Sequence, residues 1–262
     1  MHHVLLLIGL GLLLSARVRA ESSHLDRILA AKDLRVCIWP EYYGISYRHP
    51  HTQLLSGVDI ELARALGKDL GVAPRFVDSS FPKLIDDVTQ DRCDIAMFGI
   101  SITPQRAEKL RFTSPHLTTD MVAITTRSNR RIREWSDVDK PGVVVAVLKG
   151  TVHETVLRDK LKAATLLVAD SASAREQEVE SGRADVLMTG APYARHMLDN
   201  VDWARAVSPP VPYHLSSHAF AMNPGDAPWH ARVDQFVAAI KRDGRLQQSA
   251  HRHKLDALVA PQ

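Results

Sequence analysis

Short apolar runs alternate along this chain with longer segments in which apolar residues recur at helical spacing. The runs over residues 34–38, 75–77 and 94–97 predict buried strands, because each is apolar and too short for a stable helix. Residues 58–70 and 229–240 instead place their apolar side chains on one face, which predicts amphipathic helices.

A second unit with the same alternation follows. Residues 120–126, 143–148 and 184–188 predict strands. Thr151 and Ser173 each precede a glutamate by three residues, and this capping-box pattern predicts that a helix begins at each of them. Strands that alternate with helices indicate an α/β fold with parallel sheets, and the length of the chain accommodates two modest lobes.

The N-terminus carries an apolar run over residues 4–14 that is too short to span a bilayer. Small residues follow at Val18 and Ala20, the two positions that a signal peptidase reads. We therefore predict a signal peptide over residues 1–20 and a mature protein in the periplasm. A buried helix is the alternative interpretation of the same run.

The charge excludes a nucleic-acid-binding surface. The whole chain carries +3, and removal of residues 1–20 takes away two arginines and no acid. The histidine pairs His49/His51 and His251/His253 lack cysteine or carboxylate companions at ligand spacing, so no metal and no cofactor are expected.

Two cysteines, Cys37 and Cys93, fall at predicted parallel strands. An oxidising compartment permits a disulfide, but the offset of the two positions looks unfavourable. The sequence therefore predicts two buried, unpaired thiols.

Residues 99–106 hold the pattern with the clearest chemistry. Thr103 is a predicted helix N-cap that places Arg106 in the first turn, where free N–H groups, the Ser101 hydroxyl and a guanidinium converge. Such a set suits a carboxylate, although an ordinary capped helix with a surface arginine has the same spacing. Residues 150–151 form a similar turn in the second unit, which suggests a ligand held from both sides.

Four segments together resemble the periplasmic polar-amino-acid-binding proteins, the solute receptors of ABC importers. They are 57–63 (GVDIELA), 94–103 (DIAMFGISIT) followed by Arg106, 112–116 (FTSPH) and 182–186 (GRADV). The resemblance runs in order from about residue 34 to the terminal helix.

The resemblance implies a two-lobed type II periplasmic-binding-protein fold with a ligand cleft between the lobes. Lobe 1 would comprise residues 21–118 and 219–262, and lobe 2 would comprise residues 119–218. It further implies that the chain captures an amino acid or related organic acid for an ABC permease in the inner membrane. The sequence gives no oligomeric state, and a monomer is the default expectation. The implied ligand-binding residues are Arg106, Ser101, Gly99, Thr151, Tyr42, Phe81 and Trp39.

Two departures from the family pattern bear on the ligand. Trp39 and Gly190 stand where amino-acid binders often carry acids that hold the ammonium group. Burying an ammonium group without a carboxylate partner is costly in free energy. These departures therefore favour a carboxylate ligand that lacks an α-amino group.

Two other functions stay open. Cyclohexadienyl dehydratases resemble the same segments, but they need a proton donor, and Tyr193 stands where that family carries an acid. Neither Glu41 nor Glu154 lies at the matching position, so we expect no enzymatic activity. A sensory receptor that signals to a membrane kinase is the third interpretation.

Overall fold

The computed structural model describes residues 23–261, so the predicted signal peptide over residues 1–20 lies outside them. The α-helices are α1 (His24–Ala31), α2 (Val58–Leu70), α3 (Leu84–Thr89), α4 (Pro104–Ala107), α5 (Val152–Lys160), α6 (Ala172–Glu180), α7 (Ala191–Asn200), α8 (Ala227–Arg242) and α9 (Arg245–Arg252). The strands are β1 (Asp33–Ile38), β2 (Glu41–Tyr42), β3 (Ser46–Arg48), β4 (Leu55–Ser56), β5 (Ala73–Asp78), β6 (Ile95–Ser101), β7 (Arg111–Phe112), β8 (Leu117–Thr119), β9 (Met121–Thr126), β10 (Val144–Leu148), β11 (Thr165–Ala169), β12 (Val186–Gly190), β13 (Ala204–Val207) and β14 (Ser216–Met222).

The first sheet has the strand order β5-β1-β6-β14-β7, and β8 also pairs with β14. Its centre is parallel, since β1 runs parallel to both β5 and β6, whereas β14 is antiparallel to β6. All seven residues of β6 are buried. A strand covered on both faces is expected to be continuously apolar, which explains why this run was visible in the sequence.

The second sheet has the strand order β11-β10-β12-β9-β13. Its core strand β10 runs parallel to β11 and β12, and β9 is antiparallel to β12. The sequence patterns did not reveal β11, β13 or the small antiparallel sheet β2-β3-β4.

Two connections join the sheets. The chain leaves the first sheet at β8, passes Asp120 and enters β9, and it returns through β14. These connecting strands pair with each other, with Thr119 opposite Ser216. The division of the chain into the two lobes stays a prediction, and we use its boundaries below to name lobe 1 and lobe 2.

The predicted state of the cysteines is wrong, because Cys37 and Cys93 form a disulfide. Their Cα atoms lie 5.6 Å apart. The register of the parallel strands sets Cys37 beside Ala96. Cys93 precedes β6 and lies in the turn that leads into it, so the offset between strand positions does not fix the distance between the sulfurs.

Two predicted helix caps also differ from the structure. The Thr151 hydroxyl donates to the Leu148 carbonyl instead of capping α5, and Glu154 accepts from the Gly150 N–H. Helix α6 begins earlier than predicted, because the Ser171 hydroxyl, and not that of Ser173, is its N-cap and accepts from the Ala174 N–H.

Among residues 23–261, no helix is both long enough and apolar enough to cross a bilayer.

Candidate ligand-binding cavity

A cavity lies where the two lobes face each other, and aromatic rings form one side of it. Trp39 is the centre of this group, with ring centroids 5.3 Å from Tyr42 and 5.1 Å from Phe81. Tyr193 approaches from lobe 2, with its ring nearly parallel to that of Trp39 and 6.4 Å away. All four line the cavity, so both lobes contribute to this apolar wall.

Six of the seven residues predicted to bind the ligand line this cavity: Trp39, Tyr42, Phe81, Gly99, Ser101 and Thr151. Their convergence results from the ends of parallel strands, because β1, β6 and β10 each deliver a loop or a terminal residue to the same region. Direct contact between these residues and a ligand stays a prediction.

Arg106 lies in a neighbouring groove and does not line the cavity. Its side chain is buried, and its two terminal nitrogens donate to the carbonyl oxygens of Ser101 and Gly150, both at 2.9 Å. Ser101 belongs to lobe 1 and Gly150 to lobe 2, so Arg106 bridges the lobes. Burial lowers the pKa of Arg106 to about 10, which leaves it charged at neutral pH.

Gly99 was expected to bind the ligand, and its backbone N–H donates to the Asp59 carboxylate at 2.7 Å. Gly99 has a φ of +63°, and a Cβ placed there would lie 2.8 Å from the Tyr42 ring. Glycine therefore lets the aromatic wall approach β6 closely.

A second group of cavity residues carries polar atoms that have no hydrogen-bond partner. Within residues 23–261, the buried side-chain atoms without a partner are His116 Nδ1, His153 Nδ1, His218 Nδ1 and the Nε and Nη2 of Arg175. His153, Arg175 and His218 line the cavity. Buried polar groups in proteins nearly always have partners, so this concentration marks the place where a ligand or ordered water is expected.

Both cavity histidines are neutral at physiological pH. Burial, together with nearby positive charges, lowers the pKa of His153 to about 3, and burial likewise lowers that of His218 to about 3. Each neutral ring offers one donor and one acceptor nitrogen, so both side chains can adapt to a ligand.

Asp120 is the one carboxylate among the described residues that line the cavity. Its oxygens already accept from the backbone N–H groups of Met121, Tyr213 and His214 at 2.7–2.8 Å. Asp120 therefore ties the connection between the lobes to the segment before β14, with two N–H groups on Oδ1 and one on Oδ2.

Arg175 and His153 were missed by the sequence reasoning. His153 lies on the buried face of α5 beside Val152, Val156 and Leu157, so a titratable residue inside an apolar stripe was a signal that could have identified it. Helix α6 buries Ala172, Arg175 and Val179, but its sequence has no clear apolar stripe that would have marked the arginine.

The fold and the cavity together define the class of protein. Two lobes joined by paired connecting strands, with a cavity between them, make a type II periplasmic-binding-protein fold. A solved structure of an ancestral amino acid-binding protein, described as a precursor of cyclohexadienyl dehydratase, superposes with a TM-score of 0.80 at 30% identity, covering 88% of this chain and 99% of that one.

Residues 34–255 match the family model of the bacterial extracellular solute-binding proteins, family 3, and the chain belongs to that family. It is similar to cyclohexadienyl dehydratase of Pseudomonas aeruginosa, at 35% identity over 94% of this chain and 92% of that protein. It is also similar to a putative ABC transporter arginine-binding protein of Escherichia coli, at 24% identity over 83% of this chain and 89% of that protein.

Proposed function

We propose that this protein is an exported solute receptor that captures a small carboxylate-bearing molecule between its lobes and delivers it to an ABC permease. The observation that carries the proposal is the cavity itself, because both lobes supply its walls. Trp39 and Ser101 come from lobe 1, and Thr151 and Arg175 come from lobe 2. A ligand that contacts both lobes binds the closed form more tightly than the open form, and that difference drives closure.

The geometry of the connections supports such a motion. Two short paired strands link the sheets, and this arrangement is typical of hinge closure around a ligand. The bond from Arg106 to the Gly150 carbonyl crosses between the lobes, so it forms only when they are close together. Membership of a family of extracellular binding proteins supports export to the periplasm and a partner in the inner membrane.

A dehydratase activity is the second candidate, and the 35% identical Pseudomonas aeruginosa relative favours it. Dehydration needs a proton donor beside the leaving hydroxyl. Among the described residues of the cavity wall, the one carboxyl group is Asp120, which already accepts backbone N–H groups. Glu176 does not line the cavity, and its carboxylate accepts a hydrogen bond from the Tyr193 hydroxyl at 2.5 Å. This environment favours binding over turnover.

The test combines binding with scattering on the mature protein. A thermal-shift screen of organic and amino acids identifies ligands, since a ligand at a hundred times its Kd stabilises by about 2.7 kcal/mol. Small-angle scattering at saturation should then show a smaller radius of gyration than the free protein. Identical profiles at proven saturation contradict the receptor proposal, and consumption of prephenate, followed by ultraviolet absorbance, supports the dehydratase.

A further inference from the structure

Arg175 has an unusual environment for a charged side chain. It lies in α6 of lobe 2, is 2% exposed and lines the interlobe cavity. One terminal nitrogen donates to the Met188 carbonyl at a long 3.3 Å, while Nε and Nη2 have no partner. The guanidinium carbon lies 4.7 Å from the centre of the Tyr193 ring, which holds the group in place from one side.

The guanidinium has no salt-bridge partner among the described residues, although Glu41 lies near enough for the two charges to interact. Within residues 23–261, no carboxylate forms an ion pair with Arg175, and the neighbouring Glu176 accepts the Tyr193 hydroxyl instead. A buried charge without a partner is costly, and water in the cavity satisfies N–H groups without neutralising the charge. An anion that enters the cavity removes this cost, and a carboxylate matches the paired Nε and Nη2 donors of arginine.

The other residues that line the cavity indicate the chemistry of the rest of the ligand. His153 and His218 each present an unpartnered Nδ1, and the rings of Trp39, Phe81 and Tyr193 form the apolar wall. For an ammonium group the cavity wall offers one carboxylate, Asp120, and backbone N–H groups already fill three of its roughly four acceptor positions.

We propose that Arg175 is the charged anchor of the site and that the ligand is a small carboxylate with an apolar body and no ammonium group. This inference rests on the proposed receptor function and specifies its ligand class. It also places the principal contact with the ligand carboxylate in lobe 2, and not at the helix turn of lobe 1 that carries Arg106.

The test uses pairs of compounds that differ only in the α-ammonium group: 3-phenylpropionate against phenylalanine, and 4-methylpentanoate against leucine. Binding to the mature wild-type protein and to Arg175→Met is measured by calorimetric titration. We expect the ammonium-free member of a pair to bind more tightly, and Arg175→Met to weaken it by about 30-fold or more, because a desolvated charge loses its partner.

Arg183→Met is the matched control, since Arg183 is an exposed lobe 2 arginine that pairs with Glu178. Its affinity should stay within a factor of two of wild type. A second readout separates binding from folding: Arg175→Met should melt at the same temperature as wild type or higher, because the variant no longer buries an unpaired charge.

Three outcomes overturn the inference: an amino acid that binds as tightly as its ammonium-free partner, an Arg175→Met affinity within threefold of wild type, or no binding of either ammonium-free acid. If amino acids bind and the protein closes in scattering, the receptor function stands and only the ligand class is wrong. If no compound of either kind binds or closes the protein, the proposed function fails as well.

Discussion

The two lobes share an α/β architecture but treat their buried charges differently. The buried carboxylates of lobe 1 have partners within the protein: Asp94 accepts from Arg27 and Arg35, and Asp59 accepts from His116 and Gly99. Lobe 2 instead buries Arg175 with two donors unpaired. In lobe 1 the protein itself satisfies these buried charges, whereas in lobe 2 the proposed ligand would satisfy the free donors of Arg175.

The two buried arginines show the same contrast at closer range. Arg106 has both terminal nitrogens bonded to backbone carbonyls, one in each lobe. Arg175 has one long bond to a carbonyl. An arginine whose donors are filled by the protein stabilises a conformation, and one whose donors are free is available to recognise an anion.

The largest expected effect concerns the stability of lobe 1. The Cys37–Cys93 disulfide joins residues separated by 56 positions. Loop-closure entropy then predicts that the double variant Cys37→Ala/Cys93→Ala loses about 4 kcal/mol of unfolding free energy, measured by urea denaturation. Ligand affinity of the folded variant should remain within a factor of three, since neither cysteine lines the cavity. A loss below about 1 kcal/mol would contradict the assignment of the disulfide as a main source of lobe 1 stability.

Arg106 should have a smaller effect, on closure. Arg106→Ala removes the bond to Gly150 that crosses between the lobes, so the closed form loses about 2 kcal/mol, the size of a charge-assisted hydrogen bond. If Arg106 acts through closure, a carboxylate ligand and its uncharged carboxamide analogue should weaken by the same factor in calorimetric titration.

The sequence motif makes a different prediction for the same variant. If Arg106 contacts the ligand carboxylate, Arg106→Ala should weaken the carboxylate ligand and leave the carboxamide nearly unchanged. In that case Arg106→Lys should also weaken the carboxylate ligand, because lysine retains the charge but loses the planar fork that bonds to two oxygens at once.

Local patterns predicted much of the fold. Helix α2 spans residues 58–70 as predicted, because its apolar stripe and its terminal Gly71 are both short-range signals. The strands β1, β6, β9 and β10 were found for the same reason, since each is a short run of mostly apolar residues.

The chemistry of the site was harder to predict from local patterns. The role of Arg175 depends on how α6 packs within lobe 2 and on which side chains of lobe 1 face it. Neither is encoded within one helix. The disulfide was missed because the distance between Cys37 and Cys93 is set by a turn, for which strand register gives no measure.

Per unit of pH, the smallest expected effect is the pH dependence that His153 contributes from lobe 2. The pKa of His153 in the folded protein is lowered to about 3, chiefly by burial and secondly by the positive charge of Arg175. An unfolded histidine has a pKa of about 6.5. Between these values the unfolded chain binds more protons, so the stability contribution is complete above about pH 6.5 and is lost as the pH falls towards 3. One proton of difference corresponds to about 1.4 kcal/mol per pH unit.

His153→Gln should therefore reduce the slope of unfolding free energy against pH by up to about 1.4 kcal/mol per unit between about pH 4 and 6, measured by urea denaturation at a series of pH values. His51→Gln, at an exposed position of lobe 1, is the matched control for the substitution itself. An equal slope in wild type and His153→Gln would mean that His153 takes up its proton at the same pH in the folded and the unfolded protein. Below that pH, lobe 2 would then carry a second buried positive charge beside Arg175, and the cavity would favour a dianion over a monocarboxylate.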